Sequence, residues 1–185
     1  RRRAPVDREH GAPKARPPRD DDQGVYQVAV LPPDDALGEL EAFRRLPDPW
    51  FHRLPPHVAL LPPFEPVRRD LLTRFDRLRA RPFTARLGAP GADGTTLWLD
   101  VVDGTADIER LRAVLHDALL DPAAPPLDVP PALRIGHFST AAELELARRG
   151  VAAALDLPPF RVERVTLLLE DVRGLWHPVR DRTLR

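Results

Sequence analysis

The apolar positions change their spacing several times between Val25 and the end of the chain, and a proline or glycine stands at most of the changes. Short apolar or alternating runs predict strands, whereas apolar residues three and four positions apart predict amphipathic helices. Strands are expected at residues 25–33, 57–64, 82–88, 95–102, 133–139, 160–171 and 174–181. Helices are expected at residues 34–46, 67–80, 106–120 and 141–155.

Two places in this pattern predict hairpins. The Asp93-Gly94 pair tolerates the positive φ of a tight turn, so the strands at 82–88 and 95–102 should pair with each other. The last two strands of the chain should form a closing hairpin. Each half of the chain has a histidine-bearing strand followed by a helix and a hairpin, which indicates a duplicated, pseudo-symmetric α+β fold.

The beginning of the chain differs in composition from the rest. Residues 1–23 are rich in Arg, Pro and Asp with little to bury, so we expect a disordered tail before a single domain at 24–185. Lys plus Arg and Asp plus Glu each number 28, giving no net charge. This balance argues against a surface that grips duplex nucleic acid along many phosphates, and favours a small ligand or a nucleic acid end.

Composition also excludes several classes of site and partner. The absence of cysteine excludes disulfides, thiolate metal sites and cysteine nucleophiles. No apolar run is long enough to span a bilayer, and the arginines at the start precede no apolar segment of a secretion signal. The histidines and carboxylates lack metal-ligand spacing. We therefore expect a cytoplasmic monomer with no metal, no cofactor and no membrane partner.

Two histidines, His57 and His137, occupy corresponding strands in the two halves. Side chains alternate across a sheet, so His137 and Ser139 should share a face. An imidazole has an ordinary pKa of about 6.5 and can give or take a proton near neutral pH. The position two residues after His57 is Ala59, which offers no hydroxyl. Either histidine alone fits a buried structural role equally well, but their matching positions favour a joint function.

The segments His57-Val58-Ala59-Leu60 and His137-Phe138-Ser139-Thr140 resemble the paired His-x-Thr/Ser-hydrophobic motifs of the two-histidine (2H) phosphoesterases. That family includes the bacterial 2′-5′ RNA ligase-like proteins. TTLWLDVV and the terminal segment from Phe160 are also similar to the family, so the resemblance covers about residues 25–184. It implies a duplicated bilobal fold in which two mainly antiparallel sheets face a central cleft, with helices packed outside.

The same resemblance implies a metal-independent phosphoesterase that acts on 2′,3′-cyclic phosphates or 2′-5′ linkages of RNA ends or small nucleotides. His57 and His137 would be its acid and base, in an order that the sequence leaves open, and Ser139 and Thr140 would bind phosphate. Ala59 would lie at the substrate. Trp98 is a further substrate-binding candidate, because alternation places it on the less apolar face of its strand, where it could stack on a base.

Three positions depart from the family pattern: Ala59 lacks the hydroxyl, Thr140 replaces an aliphatic residue, and Gly136 replaces a frequent proline. A lost hydrogen bond to a charged group costs about 1.5–3 kcal/mol, so Ala59 predicts weakened or altered activity. Arg134 is close enough in the chain to compensate, but its odd separation from His137 predicts that it faces away. Thr140 with Glu143 also matches a capping box, which predicts a helix start.

Two other hypotheses stay open beside the enzyme. The chain could be a weakly active or inactive homologue that serves as an RNA- or nucleotide-binding module, which Ala59 favours. It could also be a protein-interaction domain with incidental histidines. Turnover of cyclic nucleotides, binding without turnover, and the absence of both would separate the three.

Overall fold

The computed structural model describes residues 24–37, 40–45, 51–67, 69–154 and 157–185. The tail predicted at residues 1–23 lies outside the described residues. The elements in chain order are β1 (Tyr26–Val30), α1 (Asp34–Leu37), α2 (Leu40–Arg44), β2 (Val58–Phe64), α3 (Leu71–Asp76), β3 (Phe83–Asp93), β4 (Thr96–Asp103), α4 (Thr105–Leu119), β5 (Ala132–His137), α5 (Ala141–Ala154), β6 (Phe160–Val162), β7 (Arg164–Glu170) and β8 (Trp176–Thr183).

The described strands form one antiparallel sheet in the order β6-β3-β4-β5-β2-β1-β7-β8. The α+β class is confirmed, as are the hairpins β3–β4 and β7–β8. The prediction of two separate sheets is not confirmed, because β2 pairs with β5 at Val58 and Leu133 and so joins both halves in one hydrogen-bonded order.

The sheet is strongly curled, and the connection at Glu163 requires it. Glu163 alone separates β6 from β7 in the chain, but these strands lie six places apart in the sheet. Six strand spacings in a flat sheet would measure about 29 Å, whereas two Cα–Cα steps reach about 7 Å at most. The single strand predicted at 160–171 is therefore two strands, which join different parts of a curled sheet.

The main hydrophobic core lies between the helices and one face of this sheet. In β4, Leu97, Leu99 and Val101 are buried and alternate with more exposed residues, as a strand with one covered face requires. The longest helix, α4, contacts β2 and α3, and α5 contacts β3, β4 and α2. Each fully buried leucine in this layer contributes about 1.5–3 kcal/mol relative to an exposed one.

Helix α3 is shorter than the predicted helix at 67–80, but its apolar stripe packs as expected. Leu71, Phe75 and Leu78 are buried, and Leu72 is half-buried against the core. Among the described residues, no helix combines the length and the apolar character needed to cross a bilayer.

The second face of the sheet, which carries Ala29, Ala59 and Trp98, points away from this core. Ala29 pairs with Ala59 across β1 and β2. Ala29 belongs to a smaller buried cluster with Leu54, Leu168 and Trp176. This cluster covers part of the second face, and the segment that contains Leu54 leads directly to His57.

Candidate functional site

His57 stands immediately before β2 and is half-buried. The chain reaches it through Pro55 and Pro56, whose rings fix φ at about −65° and keep the residue before each of them extended. Leu54 is only 8% exposed and anchors this approach in the smaller cluster. The segment that leads into β2 at His57 is therefore rigid and is anchored at Leu54.

Two hydrogen bonds from other elements hold the same approach. The buried guanidinium of Arg44 donates from Nη2 to the Leu54 carbonyl at 3.1 Å. The backbone N–H of Trp176 donates to the Arg53 carbonyl at 2.7 Å. Because α2 and β8 both contribute, the position of His57 depends on distant parts of the chain.

The His57 ring is oriented by partners at both nitrogens. Nδ1 lies 2.9 Å from the Pro55 carbonyl, and a carbonyl can only accept, so the ring proton is on Nδ1. The side-chain Nε2 of Gln27 lies 3.4 Å from His57 Nε2 and donates to it. Gln27 is two residues before Ala29 in β1 and so points to the second face. The neutral ring thus presents a basic Nε2 on the second face.

His137 is the last residue of β5, and a β-bulge decides where it points. Thr96 pairs with His137 and Trp98 with Arg134, so β5 has one more residue than β4 between these two pairs. The extra residue is Ile135, which is buried together with its neighbour Gly136. Pairs across a sheet share a face, so His137 lies on the second face with Trp98.

The turn between β3 and β4 surrounds the His137 ring with hydroxyls. Thr95 Oγ1 lies 3.1 Å from Nδ1 and 3.0 Å from Nε2, and Thr96 Oγ1 lies 3.3 Å from Nδ1. The Phe138 N–H donates to the Thr95 carbonyl at 2.7 Å and ties the end of β5 to this turn. Gly94 makes the tight turn with φ of 57°, as the Asp-Gly pair predicted. The His137 side chain itself is exposed.

The sheet register places the two histidines at the same end of the pairing between β2 and β5. Strands β2 and β5 are antiparallel and pair at Val58 and Leu133, so the start of β2 and the end of β5 lie at the same end of this joint. His57 stands at that start and His137 at that end. Both therefore lie on the second face, at the same end of the β2–β5 joint.

Arg134 corrects one expectation. An odd separation from His137 predicted opposite faces, but the bulge at Ile135 cancels the alternation, and Arg134 shares the second face with His137. Its side chain is exposed. A cation therefore stands beside the histidines, and sequence reasoning missed it because nothing in the segment LRIGHF reveals the extra residue.

Trp98 also lies on the second face, half-buried, as the alternation predicted. Its indole Nε1 donates to Asp100 at 2.7 Å. The ring lies over Gly91, where a Cβ atom would be 2.6 Å from Nε1 and would collide with it. Gly91 and Asp100 thus fix an aromatic ring next to Arg134.

Ala59 occupies the centre of this face and is half-buried. Its carbonyl accepts from Nη2 of Arg112 at 2.9 Å, and Nη1 of the same guanidinium donates to the Val129 carbonyl at 2.6 Å. Burial lowers the pKa of Arg112 from its usual value, against a raising effect of Glu109. The guanidinium thus fastens β2 at Ala59 to α4 and the loop before β5.

The two hydroxyl residues after His137 are placed differently from each other. Strand β5 ends at His137, so the alternation that predicted a shared face does not extend to Ser139. Ser139 is exposed and borders with His137 a pocket of about 530 Å³. Thr140 forms the predicted capping box, in which Thr140 Oγ1 accepts from the Glu143 N–H at 3.2 Å and Glu143 accepts from the Thr140 N–H at 3.1 Å.

Other polar groups do not extend this arrangement into a metal centre. Within the described ranges, no three or more His, Asp or Glu side chains are grouped so that they could hold a metal ion. His116 and His177 have separate partners, the Ala124 carbonyl at 2.9 Å and Asp171 at 3.0 Å. The candidate site therefore consists of His57, His137 and the polar and aromatic residues beside them.

Comparison with known proteins identifies the family. A family model described as the 2′-5′ RNA ligase superfamily matches residues 32–174, which is most of the chain. The chain belongs to this superfamily, and the resemblance to two-histidine phosphoesterases is confirmed. A search of curated proteins gave no match.

Structures of LigT from E. coli share the fold. The complex with 3′-AMP is 16% identical, covers 88% of this chain and 99% of LigT, and has a TM-score of 0.59. The complex with phosphate is 17% identical, covers 89% of this chain and 99% of LigT, and has a TM-score of 0.58. The complex with ATP is 16% identical, with coverage of 88% and 99% and a TM-score of 0.57. At such identities the similarity shows the fold alone.

Proposed function

We propose that this protein is a metal-independent phosphoesterase that opens 2′,3′-cyclic phosphates or acts on 2′-5′ linkages of RNA ends or small nucleotides. The observation that carries the proposal is the joint placement of His57 and His137. They come from different halves of the chain, and both present nitrogen atoms on the second face at one end of the β2–β5 joint. Two proton-exchanging groups at one place are what in-line phosphoryl transfer needs.

The position of the ring proton favours His57 as the base in the hydrolytic direction. Its Nδ1 proton is held by the Pro55 carbonyl, so Nε2 is free of a proton in the neutral ring and can take one from the attacking water. The water oxygen forms a bond to phosphorus as one P–O bond of the cyclic phosphate breaks. His137, in its protonated form, would give its proton to the departing ribose oxygen. The reverse reaction exchanges the two roles.

The remaining groups of the second face suit a nucleotide phosphate. On this face Arg134 offers a positive charge for the phosphoryl oxygens. Beyond the end of β5, Ser139, which lines a pocket together with His137, and Thr140 offer hydroxyls. Trp98 would stack on a base, which is worth about 1–3 kcal/mol. The related LigT structures contain 3′-AMP and ATP, in keeping with a nucleotide ligand. In this proposal, the four strands on each side of the β2–β5 joint form two lobes around a central cleft.

The test is hydrolysis of 2′,3′-cyclic nucleotides in the presence of EDTA. We expect turnover by the wild type, and His57→Ala and His137→Ala should each lower kcat by about 10²–10⁴-fold, the usual contribution of a general acid or base. His52→Ala and His177→Ala are matched controls, because these histidines lie outside the site, and both should keep wild-type rates. Equal turnover by all five proteins would exclude the proposal.

A second function is favoured by Ala59. Without a hydroxyl at this position, the site could bind RNA ends or nucleotides and lack efficient turnover. In the same assay, this alternative predicts tight binding of a nucleoside 2′-monophosphate without conversion of the cyclic substrate. Binding that is lost in His57→Ala and His137→Ala would still locate the ligand at this site.

A further inference from the structure

Gln27 is an unusual residue for the middle of a sheet. It belongs to β1, in which all five residues are buried, and its side chain is only 5% exposed. Burying an amide costs free energy unless its polar atoms find partners. Of the other buried polar residues described, Arg44 and Arg112 donate to carbonyls and Thr166 donates to Asp181. The Gln27 amide instead donates to the His57 ring.

The hydrogen bond between Gln27 and His57 is weak. The two nitrogen atoms are 3.4 Å apart, beyond the 2.7–3.2 Å usual for N–H donors. It also occupies Nε2, the nitrogen that remains for proton transfer once the Pro55 carbonyl holds Nδ1. A water or a phosphoryl oxygen that reaches Nε2 must therefore displace the amide. A charged phosphate oxygen is a stronger acceptor than a neutral ring nitrogen and would take over the released N–H.

The position of Gln27 relative to Ala59 suits this exchange. Ala29 pairs with Ala59, and Gln27 is two residues before Ala29, so the Gln27 amide and the Ala59 methyl group face the same side of the sheet. In the motif that this chain resembles, position 59 would carry a hydroxyl. The amide lies on the same face, one strand away, with its nitrogen next to the catalytic ring.

We propose, building on the proposed function, that Gln27 binds a phosphoryl oxygen of the substrate in place of the hydroxyl that Ala59 lacks. In the substrate-free protein the amide donates to Nε2 of His57, and in the complex it donates to the phosphate. The His57 ring is then only a weakly bound partner that the Gln27 amide keeps until substrate binds. The hydroxyl that is missing at Ala59 is thus replaced by the amide of Gln27 in the neighbouring strand.

A double-mutant cycle with Gln27→Met and Ala59→Thr tests this proposal, because methionine keeps the length of the side chain and removes the donor. Gln27→Met should lower kcat/KM by about 10–100-fold, the effect of one lost hydrogen bond to a charged group. Ala59→Thr should raise kcat/KM at least tenfold in the Gln27→Met background, and by a clearly smaller factor in the wild type. An equal effect of Ala59→Thr in both backgrounds would overturn the proposal.

Two further measurements keep the result interpretable. Gln27→Glu preserves shape but sets a negative charge beside the ring and the phosphate, so it should weaken binding of inorganic phosphate and raise the pKa of His57 in an NMR titration. Wild-type binding of phosphate by either of these two Gln27 variants, with both still folded, would overturn the role of Gln27 while leaving the proposed function intact. Absence of both turnover and phosphate binding in the wild type would instead remove both proposals.

Discussion

The two histidines of the site stand in different surroundings. His57 is half-buried behind two prolines, with a carbonyl at Nδ1 and an amide at Nε2. His137 is exposed at the end of a strand, and its neighbours are the hydroxyls of Thr95 and Thr96. At Nδ1 the first ring meets a carbonyl, which can only accept. The second ring is held by groups that can either donate or accept.

Under the proposed function, this difference would give the two rings different tasks. A carbonyl at Nδ1 allows only the tautomer with a proton on that atom, so His57 always presents the same nitrogen as a base. Hydroxyls adapt to either tautomer and to the charged ring, so His137 can lose and regain its proton without leaving a neighbour unpaired. A site that needs one base and one acid can thus obtain them from the same residue type by changing the neighbours.

The largest effect should come from a variant of His57 that keeps the hydrogen bond to Pro55 but cannot accept a proton. His57→Asn keeps an N–H near the position of Nδ1 for the Pro55 carbonyl but has no proton-accepting nitrogen. We expect kcat to fall by about 10²–10⁴-fold, with a thermal unfolding midpoint close to that of the wild type. Cyclic nucleotide hydrolysis and thermal denaturation measure the two effects.

The control for this prediction is His57→Ala, which also leaves the half-buried carbonyl without its donor and should lower the free energy of unfolding by about 1 kcal/mol. If His57→Asn retained full activity, the ring would be a structural residue. The contrast between the two histidines would then have no bearing on catalysis.

Removing the aromatic platform should have the next largest effect. Trp98→Ala should raise KM for a cyclic nucleotide by about 5–150-fold, because stacking on one base is worth about 1–3 kcal/mol. Trp98→Phe keeps a stacking ring and loses the bond to Asp100, so it should lie much closer to the wild type. Equal KM values for all three proteins would show that the base binds elsewhere.

A smaller effect is expected from the hydroxyls around His137. Thr95→Val removes the hydroxyl that lies 3.0 Å from Nε2 and should lower kcat/KM by about 2–10-fold, the effect of one neutral hydrogen bond. Thr96→Val is the matched control, since its hydroxyl is farther away at 3.3 Å. Nitrogen-15 NMR should show a single tautomer for His57 and a mixture for His137. A single tautomer at both rings would remove the contrast.

The sequence correctly predicted those features that depend only on residues close together in the chain. The alternation in β4 placed Trp98 apart from Leu97 and Leu99, and burial follows it. Thr140 and Glu143 predicted the start of α5, because a capping box involves only residues within one helical turn.

The missed features depend on pairing between distant segments. The bulge at Ile135 exists only in relation to β4, so alternation within β5 gave the wrong face for Arg134. The contact of Gln27 with His57 follows from the packing of two separate parts of the chain. A signal for Gln27 was nevertheless present, because a lone amide within an otherwise apolar strand needs a specific partner.

The smallest predicted effect comes from a change at Asp171. Its partner His177 lies outside the candidate site and serves as a reference for His57 and His137. In the β7–β8 turn, Asp171 accepts from the Leu175 N–H, from His177 and from the Arg173 N–H, and these bonds lower the pKa of Asp171. The carboxylate therefore stabilises the fold above its unfolded pKa of about 3.9, and this contribution is lost as pH falls through the lower folded value. Asp171→Asn should slightly lower the urea midpoint at neutral pH, and the difference should vanish in strong acid. The loss of activity in acid should come from protonation of the base at the candidate site, and it should be identical in both proteins. A shift of this loss to another pH in Asp171→Asn would mean that loosening of the hairpin, and not protonation of His57, limits activity in acid.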